Sequence, residues 1–549
     1  MSLTPFIQVI LPLKLEWEPY YELDGAAVGD RVELVFAHRH YVGVVSAVNV
    51  TPDPGLKVLG AVPSGLPPIA AEEIAFWRKL ADYYLCSVGE VYKVAYPMQQ
   101  IESEKITRRR LKEDELVAEA EPFSLSKEQE EAVSRILASF KAGKTVLLDA
   151  FRERTEIYLE LTKRTLQEGK SVLCLVPEIT LSHQLQARFQ ACFPDLLCFH
   201  SARTIPARRE VADAVRSGKP YLVLGTRSAL FLPHWNLGLI IVHDEHDASF
   251  KQDSPAPRLH AREASILLSL VHRCPVLLSS GTPSFETLYN VEICLFDNVY
   301  LKRNFIKEPL IVNTAAEARK KGMKGSFSLK MLEAVQTALE AGEKVLLVCR
   351  AKAAQEECLA ELKTFFPDAP DKLLLTATPA SYKSLKETSF GLVAVHQADH
   401  LLGREDFRSD ERTLQILQQL QRRSAYMAVQ TREPGHPVFE ALKEHKNGLV
   451  FLGERQAFGY PPVTRLIDVH VEDRSPKRLE YLTSLLRRAL APCLGPFTPF
   501  GREDVRVLRI TLPRDKSLQA RKKQLAAGVA AFEKEHKYFG HIHLDVDPQ

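Results

Sequence analysis

The chain reads as an α/β protein of several domains: a β-rich N-terminal domain, two successive parallel α/β units, and a small α+β C-terminal domain. Three observations predict this. Its 549 residues correspond to several domains at about 100–200 residues each. The first hundred residues alternate short apolar runs with turns, the period-2 pattern of half-buried strands. From Ser124 onward, near-continuous apolar strands alternate with amphipathic helices, the signature of parallel sheets covered on both faces.

In chain order, FIQVIL, RVELVF and YVGVVSAV supply the strands of a domain over 1–100, followed by a helix over 71–85 with Ile74, Ala75, Trp77, Leu80 and Tyr83 as its apolar residues. Residues 101–122 are charged and read as an exposed linker, with Arg108, Arg109 and Arg110 either a solvated connector or a local phosphate contact. The first α/β unit, 123–304, opens with a helix over 127–140 that puts Ala132, Val133, Ile136, Leu137 and Phe140 on one face. Strands TVLL, SVLCLV, YLVLG, LGLIIV and PVLLSS follow. The second unit, 305–446, sets helices over 328–341, 353–365 and 410–421 among strands KVLLVC, GLVAVH and AYMAVQ. The last domain, 447–549, combines strands LIDVHV, VRVLRITL and HIHLDV with helices over 476–490 and 515–536.

Composition narrows the function. A formal net charge of +3 gives no overall polybasic character, so any nucleic-acid contact must come from local patches. No apolar run approaches the 18 residues or so of a membrane span. The opening residues lack a basic stretch and are broken by Pro12, which reads as a strand and not an export signal. Nine scattered cysteines without a C-x-x-C suit a reducing cytoplasm and argue against a cysteine zinc site or a disulfide framework. Glycine, at 26 residues, falls below the usual share of about 7% and leaves little material for phosphate-cradling loops.

Several strings add a resemblance. They are KLADYYLCSVGEVYKVAYP (79–97), LVPEITLSHQ (175–184), HS (200–201), GTRSALF (225–231), EHDASFKQ (245–252), HAREAS (260–265) and GTPSFET (281–287). Further along come DFRSDERT (406–413), ERQAFGYPPVTRL (454–466), CLGP (493–496) and DVDP (545–548). In this order they resemble the primosomal replication-restart DNA helicase family (PriA, primosomal protein N′) over almost the whole chain. The resemblance implies two RecA-like superfamily 2 helicase lobes behind an N-terminal module that captures a DNA 3′ end. It implies binding of forked or branched DNA and single-stranded DNA, and partnership with other primosome proteins and the replicative helicase loader.

Within that resemblance the chain is a degenerate member. A Walker A loop needs G-x-x-x-x-G-K-[ST], glycines for close backbone approach and a lysine for the phosphates. Here the connection is Asp149, Ala150, Phe151, Arg152, Glu153, Arg154 and Thr155, with no glycine. Arg154 stands at the lysine position, and Arg is no substitute for a compact ammonium. The family's Asp-Glu-Glu-His is His243, Asp244, Glu245 and His246, so a neutral imidazole replaces magnesium's hard oxygen ligand. The second-lobe arginine helix reads Gln419, Leu420, Gln421, Arg422, Arg423, Ser424, where Arg423 matches the family's first arginine and the second is absent. The cysteine-rich zinc insert is missing. ATP and magnesium are therefore doubtful cofactors, and no zinc or other metal is expected.

The resemblance also marks residues toward DNA and nucleotide. Leu125 and Gln129 match a Q-motif that reads adenine, or equally start a helix. Glu178, Thr226, Arg227 and Ser228 lie where relatives touch single-stranded backbone, with lobe packing as the alternative. Phe250, Lys251 and Gln252 keep part of an aromatic-rich loop. Lys57 matches a lysine near the captured end, Gly29, Arg31 and Val32 its turn and strand, and Tyr20 or Tyr21 can stack on a base or belong to the core. Arg502, Arg506, Arg509, Arg514, Lys516, Arg521, Lys522 and Lys523 form either a duplex contact or a solvated face. The expectation is a fork-recognising protein that recruits primosome components without efficient ATP hydrolysis. The alternatives are an active 3′-to-5′ helicase with an atypical site and a protein-interaction module without DNA.

Overall fold

A computed structural model describes residues 5–96, 123–151, 153–177, 183–301, 307–385, 389–402, 406–494, 498–501, 504–536 and 541–548. The linker with Arg108, Arg109 and Arg110 lies outside the described residues, as do Arg152, Glu178 and Arg502.

The N-terminal domain is a six-stranded sheet in the order Leu59–Gly60, Tyr20–Glu22, Phe6–Ile10, Arg39–Val48, Arg31–Phe36, Val62–Pro63. Its two outermost strands are separated in sequence by Ala61 alone, so the sheet curls until one segment closes both edges. Ala61 N donates to Glu22 O at 3.0 Å and Ser64 N to Arg31 O at 3.0 Å. Closure removes the open edges that would otherwise template aggregation. Gly29 permits the turn into strand Arg31–Phe36: its φ is +96°, and a Cβ there would lie 2.2 Å from Ile69 O. Inside sit Ile7, Val9, Leu11, Tyr21, Val32, Leu34 and Val45. The helix Ala71–Tyr84 buries Ile74, Phe76, Trp77, Leu80, Ala81 and Tyr84. Ala75, expected on that face, is exposed, because two aromatics at 76 and 77 rotate the buried stripe by one position.

The first lobe is a seven-stranded parallel sheet ordered Phe296–Tyr300, Thr145–Asp149, Val276–Ser280, Leu237–His243, Ser171–Leu175, Leu222–Gly225, Leu197–Phe199. Five of these strands are legible as apolar runs. The two edge strands, FDNVY and LCF, are short or half polar, since an edge strand is covered less than an inner one. The second lobe is a five-stranded parallel sheet ordered Leu310–Asn313, Ser424–Thr431, Phe390–Val395, Val345–Val348, Leu374–Ala377, and its two edges were likewise unread. The last domain is a four-stranded antiparallel sheet, Thr498–Gly501, Val505–Pro513, Thr464–Glu472, His541–Val546, with helices Pro476–Leu494 and Leu518–Glu535. The second helix starts at Leu518 and not at 515, because Asp515 Oδ1 accepts from Ser517 N at 2.8 Å and holds a turn there.

Three of these domains share one core. Trp77 and Leu80 of the N-terminal helix, Ile240 and Leu268 of the first lobe, and Ile467 and Leu508 of the last sheet belong to a single buried cluster. Polar contacts rivet the same junction. Lys251 Nζ donates to Asp545 Oδ1 at 2.6 Å and to Val546 O at 2.9 Å. Arg465 bonds both Tyr83 and Asp547, and Lys522 Nζ reaches Tyr83 O at 2.6 Å. Burial pulls the Lys522 ammonium down to about 8.

Asp545→Ala leaves the Lys251 ammonium buried without its carboxylate, a change worth about 3–5 kcal/mol. The urea midpoint should fall accordingly, and adding Lys251→Met should restore most of it. The first lobe and the C-terminal domain should melt in one transition; separate transitions would contradict a shared core.

Candidate functional site

The carboxyl ends of the first-lobe strands converge on the connector after Thr145–Asp149. Glu153 caps the helix Arg154–Gln167 in the left-handed region, φ 63°, with no side-chain cap bond. That backbone state favours glycine. Arg154, the first helical residue, turns inward and pairs with Asp244 Oδ1 at 2.8 Å, both groups largely shielded from solvent. Asp244 also has positive φ, 51°. Its other oxygen lies 3.4 Å from His243 Nε2, whose Nδ1 meets the Tyr158 hydroxyl at 3.1 Å. Burial pushes the Asp244 carboxyl up, but the Arg154 guanidinium and the neighbouring imidazoles outweigh it, leaving the group well below the usual carboxylate range. Burial pulls His243 down to about 4, so it is neutral at pH 7.

The rest of the acidic motif is spent on structure. Glu245 is fully buried. It accepts from Ser284 N at 2.8 Å, Ser284 Oγ at 2.9 Å, Thr287 Oγ1 at 3.0 Å and Arg262 at 3.0 Å, fastening the start of helix Phe285–Glu292. His246 contacts Ser280 Oγ at 2.7 Å through Nδ1 and accepts from Gln419 Nε2 at 2.7 Å, joining the two lobes. Gln129 donates to Glu153 O at 2.9 Å and accepts from Ser126 N at 2.8 Å. Its polar atoms serve the helix start and the connector, and Leu125 packs on the adjoining core. Thr155 is half-buried in the first helical turn.

Arg423 does not cross to the first lobe. It donates to Tyr382 O at 3.1 Å and lies 5.4 Å from that ring. Arg422 crosses instead: its guanidinium bonds Gly281 O and sits 5.2 Å from the Phe151 ring. Sequence reasoning missed this arginine because the family register pointed one residue on. Among the described residues, no group of three or more His, Cys, Asp and Glu side chains is placed to hold a metal ion.

The residues expected at DNA divide sharply. Thr226 is buried, with Ser228 Oγ 3.4 Å from its hydroxyl. Arg227 donates to Ser249 O at 3.0 Å and Lys251 O at 2.7 Å. Phe250 is 1% exposed and Lys251 pairs with Asp545. Thr226, Arg227 and Ser228 make these contacts within the first lobe, whereas Lys251 reaches the last sheet. Tyr21 is core, its hydroxyl donating to Val35 O at 2.9 Å. Of the C-terminal basic set, Arg509 makes a two-pronged pair with Asp468 at 2.8 and 2.9 Å and Lys522 is buried. Arg506 lies 3.5 Å from Glu480 and Arg514 donates to Pro462 O at 2.8 Å, while Lys516, Arg521 and Lys523 are exposed.

Tyr20 is the exception. It lines an open cleft of about 620 Å³ with Trp17, Leu56, Arg78 and the acids Glu16, Glu18 and Asp53. Trp17 is 54% and Leu56 51% exposed, and Lys57, also exposed, follows directly. Trp17 and Arg78 were not anticipated, although an exposed tryptophan three residues before Tyr20 was the available signal.

Residues 8–97 match the model of the 3′ DNA-binding domain of PriA. The replication restart protein PriA of Haemophilus influenzae is 36% identical over 244 residues, 44% of this chain and 33% of the relative. That of Rickettsia felis is 31% identical over 58% of this chain and 49% of the relative. That of Rickettsia conorii is 26% identical over 95% of both. The first two matches thus span a third and a half of those relatives' lengths. Among solved structures, RecG bound to a three-way DNA junction is similar at a TM-score of 0.40 and 15% identity, covering 59% of this chain and 45% of that one.

Asp244→Ala strands the Arg154 charge and should lower stability by about 3 kcal/mol. Asp244→Ala with Arg154→Met should return to within about 1 kcal/mol of the native chain, and a thermal double-mutant cycle reads the coupling. Unfolding frees His243 to titrate near its ordinary 6.5, so the unfolded chain takes up the proton first. Stability present above that pH should decline as pH falls toward 4, by about 3 kcal/mol for a shift of this size. Urea midpoints between pH 7 and 4 should show a shallower slope in His243→Gln.

Proposed function

We propose that the chain is a replication restart protein of the PriA family, a fork-binding scaffold that does not hydrolyse ATP, a reading supported by the match of residues 8–97 to the 3′ DNA-binding domain. The ion pair of Arg154 with Asp244 carries this reading. The position that should offer a cation to phosphates is neutralised by the position that should activate water. ATP and magnesium do not fit the residues present. No glycine opens the connector, Phe151 lies under the Arg422 guanidinium, and the Gln129 amide is committed to Glu153 O. No catalytic step follows from such a site.

DNA binding is assigned to the N-terminal domain. Its cleft holds two aromatics, Trp17 and Tyr20, beside Arg78, which pairs with Glu18 at 2.9 Å, and beside the acids Glu16 and Asp53; the exposed Lys57 follows Leu56 in sequence. Base stacking on such rings is worth roughly 1–3 kcal/mol each, and phosphate contacts by the cations make affinity salt-dependent. The protein would work in the cytoplasm on forked or branched DNA and the single strands beside it, recruiting other primosome proteins and the replicative helicase loader. Among the described residues no helix is long and apolar enough to cross a membrane.

Two measurements test this. Hydrolysis of ATP in the presence of forked DNA should stay at background; turnover abolished by Asp244→Ala would establish the active helicase instead. Affinity for a fork with a 3′ end should exceed that for plain duplex and fall with salt. Trp17→Ala should weaken it roughly 5- to 100-fold, and Lys57→Ala should reduce the salt slope by about 1. A flat salt dependence with no fork preference would leave only a protein-interaction module.

A further inference from the structure

At the carboxyl ends of the first-lobe strands, Arg154, Asp244 and Glu245 are paired within their own lobe, while His246, Asp247 and the 281–287 segment meet the second lobe. Gln419 donates to His246 at 2.7 Å and to Thr282 Oγ1 at 2.9 Å, and accepts from the Tyr382 hydroxyl at 2.5 Å. Lys383 Nζ lies 2.7 Å from Asp247 Oδ2. Glu411 accepts from Phe285 N at 3.0 Å, and Gln415 donates to Thr282 O at 3.3 Å. Arg422 reaches Gly281 O over the Phe151 ring.

Beneath these contacts runs a ladder of alternating charge. Arg455 is 3.6 Å from Glu411, Glu411 is 3.3 Å from Arg408, Arg408 is 2.6 Å from Glu286, Glu286 is 3.9 Å from Arg262, and Arg262 is 3.0 Å from Glu245. An apolar lock flanks it: the Phe285 ring stacks on Phe451 at 5.8 Å and 14°. Gly448 makes room, since a Cβ there would sit 1.6 Å from that ring.

In nucleotide-hydrolysing enzymes, cations that face the phosphates stabilise the charge of the transferring group. In this chain Lys383, Arg408 and Arg422 of the second lobe face carboxylates or a carbonyl of the first, and Arg154 is neutralised by Asp244 within its own lobe. We infer that the two lobes are held closed by their own side chains, so that the chain is a single-state clamp whose shape does not respond to nucleotide. This stands apart from DNA binding and would hold if the chain bound none. The ladder fixes register more than it adds stability, because buried ion pairs repay little beyond their desolvation cost. The aromatic lock and the backbone bonds supply the attraction.

Hydrogen exchange on the full chain tests it, with ATP and magnesium as the probe. Amides of 281–287 and 409–421 should be protected as strongly as those of the inner strand Thr145–Asp149, and adding ATP and magnesium should change their rates less than twofold. Rates tenfold faster than that strand without nucleotide, or protection gained on adding it, would overturn the clamp. Lys383→Ala with Gln419→Ala should raise exchange in both segments at least tenfold while leaving Thr145–Asp149 unchanged. A double variant that exchanges like the native chain would also overturn it, and the native measurement decides alone if that variant does not fold.

Discussion

A charge in a dry crevice must be matched, and the crevice at the carboxyl ends of the first-lobe strands has to be matched from within the chain. Arg154 and Asp244 do this at 2.8 Å, and most of the surrounding geometry follows. Asp244 adopts positive φ and offers one oxygen to the guanidinium and the other toward His243. His243 stays neutral because burial pulls its imidazole down to about 4, which avoids adding a second cation beside Arg154. Gln129 pins the connector by its backbone. The start of the helix Arg154–Gln167 is thereby held by groups of the protein itself.

Once the crevice is internally neutral, the seam between lobes can be neutral as well. His246, Asp247 and Glu286 of the first lobe meet Gln419, Lys383 and Arg408 of the second. The same economy operates at the other junction, where Lys251 and Asp545, and Arg465 and Asp547, tie the first lobe and N-terminal helix to the last sheet. Removing either partner at such a place is costly, whereas replacing both is cheap. Motif residues can therefore persist for packing reasons long after a chemical role is gone.

This explains what could be read from the sequence and what could not. Inner strands such as SVLCL and LGLIIV are apolar throughout because both faces are covered, and they were legible without a structure. Edge strands such as FDNVY, half polar with exposed positions, carry no such signal. At the site, the absence of glycine from the connector and the presence of His243 were legible in the sequence, but the pairing of Arg154 with Asp244 was not. The inward turn of Arg227, Phe250 and Lys251 was not legible, because a motif string records residue types and not the direction of a side chain. Arg422 and Arg423 make the same point: adjacent identical residues point to different lobes, and only helix phase decides between them.

The distribution of exposure differs between the first lobe and the N-terminal domain. In the first lobe, the residues that resemble strand-binding motifs are buried or bonded to backbone carbonyls. In the N-terminal domain, Trp17, Leu56 and Lys57 face solvent around Tyr20, although burying the two apolar ones would stabilise the barrel by roughly 1.5–3 kcal/mol each. Closure of the barrel by the segment Leu59–Pro63 keeps that surface in place without using these side chains. Trp17 and Leu56 are thus large apolar groups left uncovered on a closed scaffold, beside the exposed Lys57. The cleft they border also carries Glu16, Glu18 and Asp53, with Arg78 paired to Glu18 at 2.9 Å.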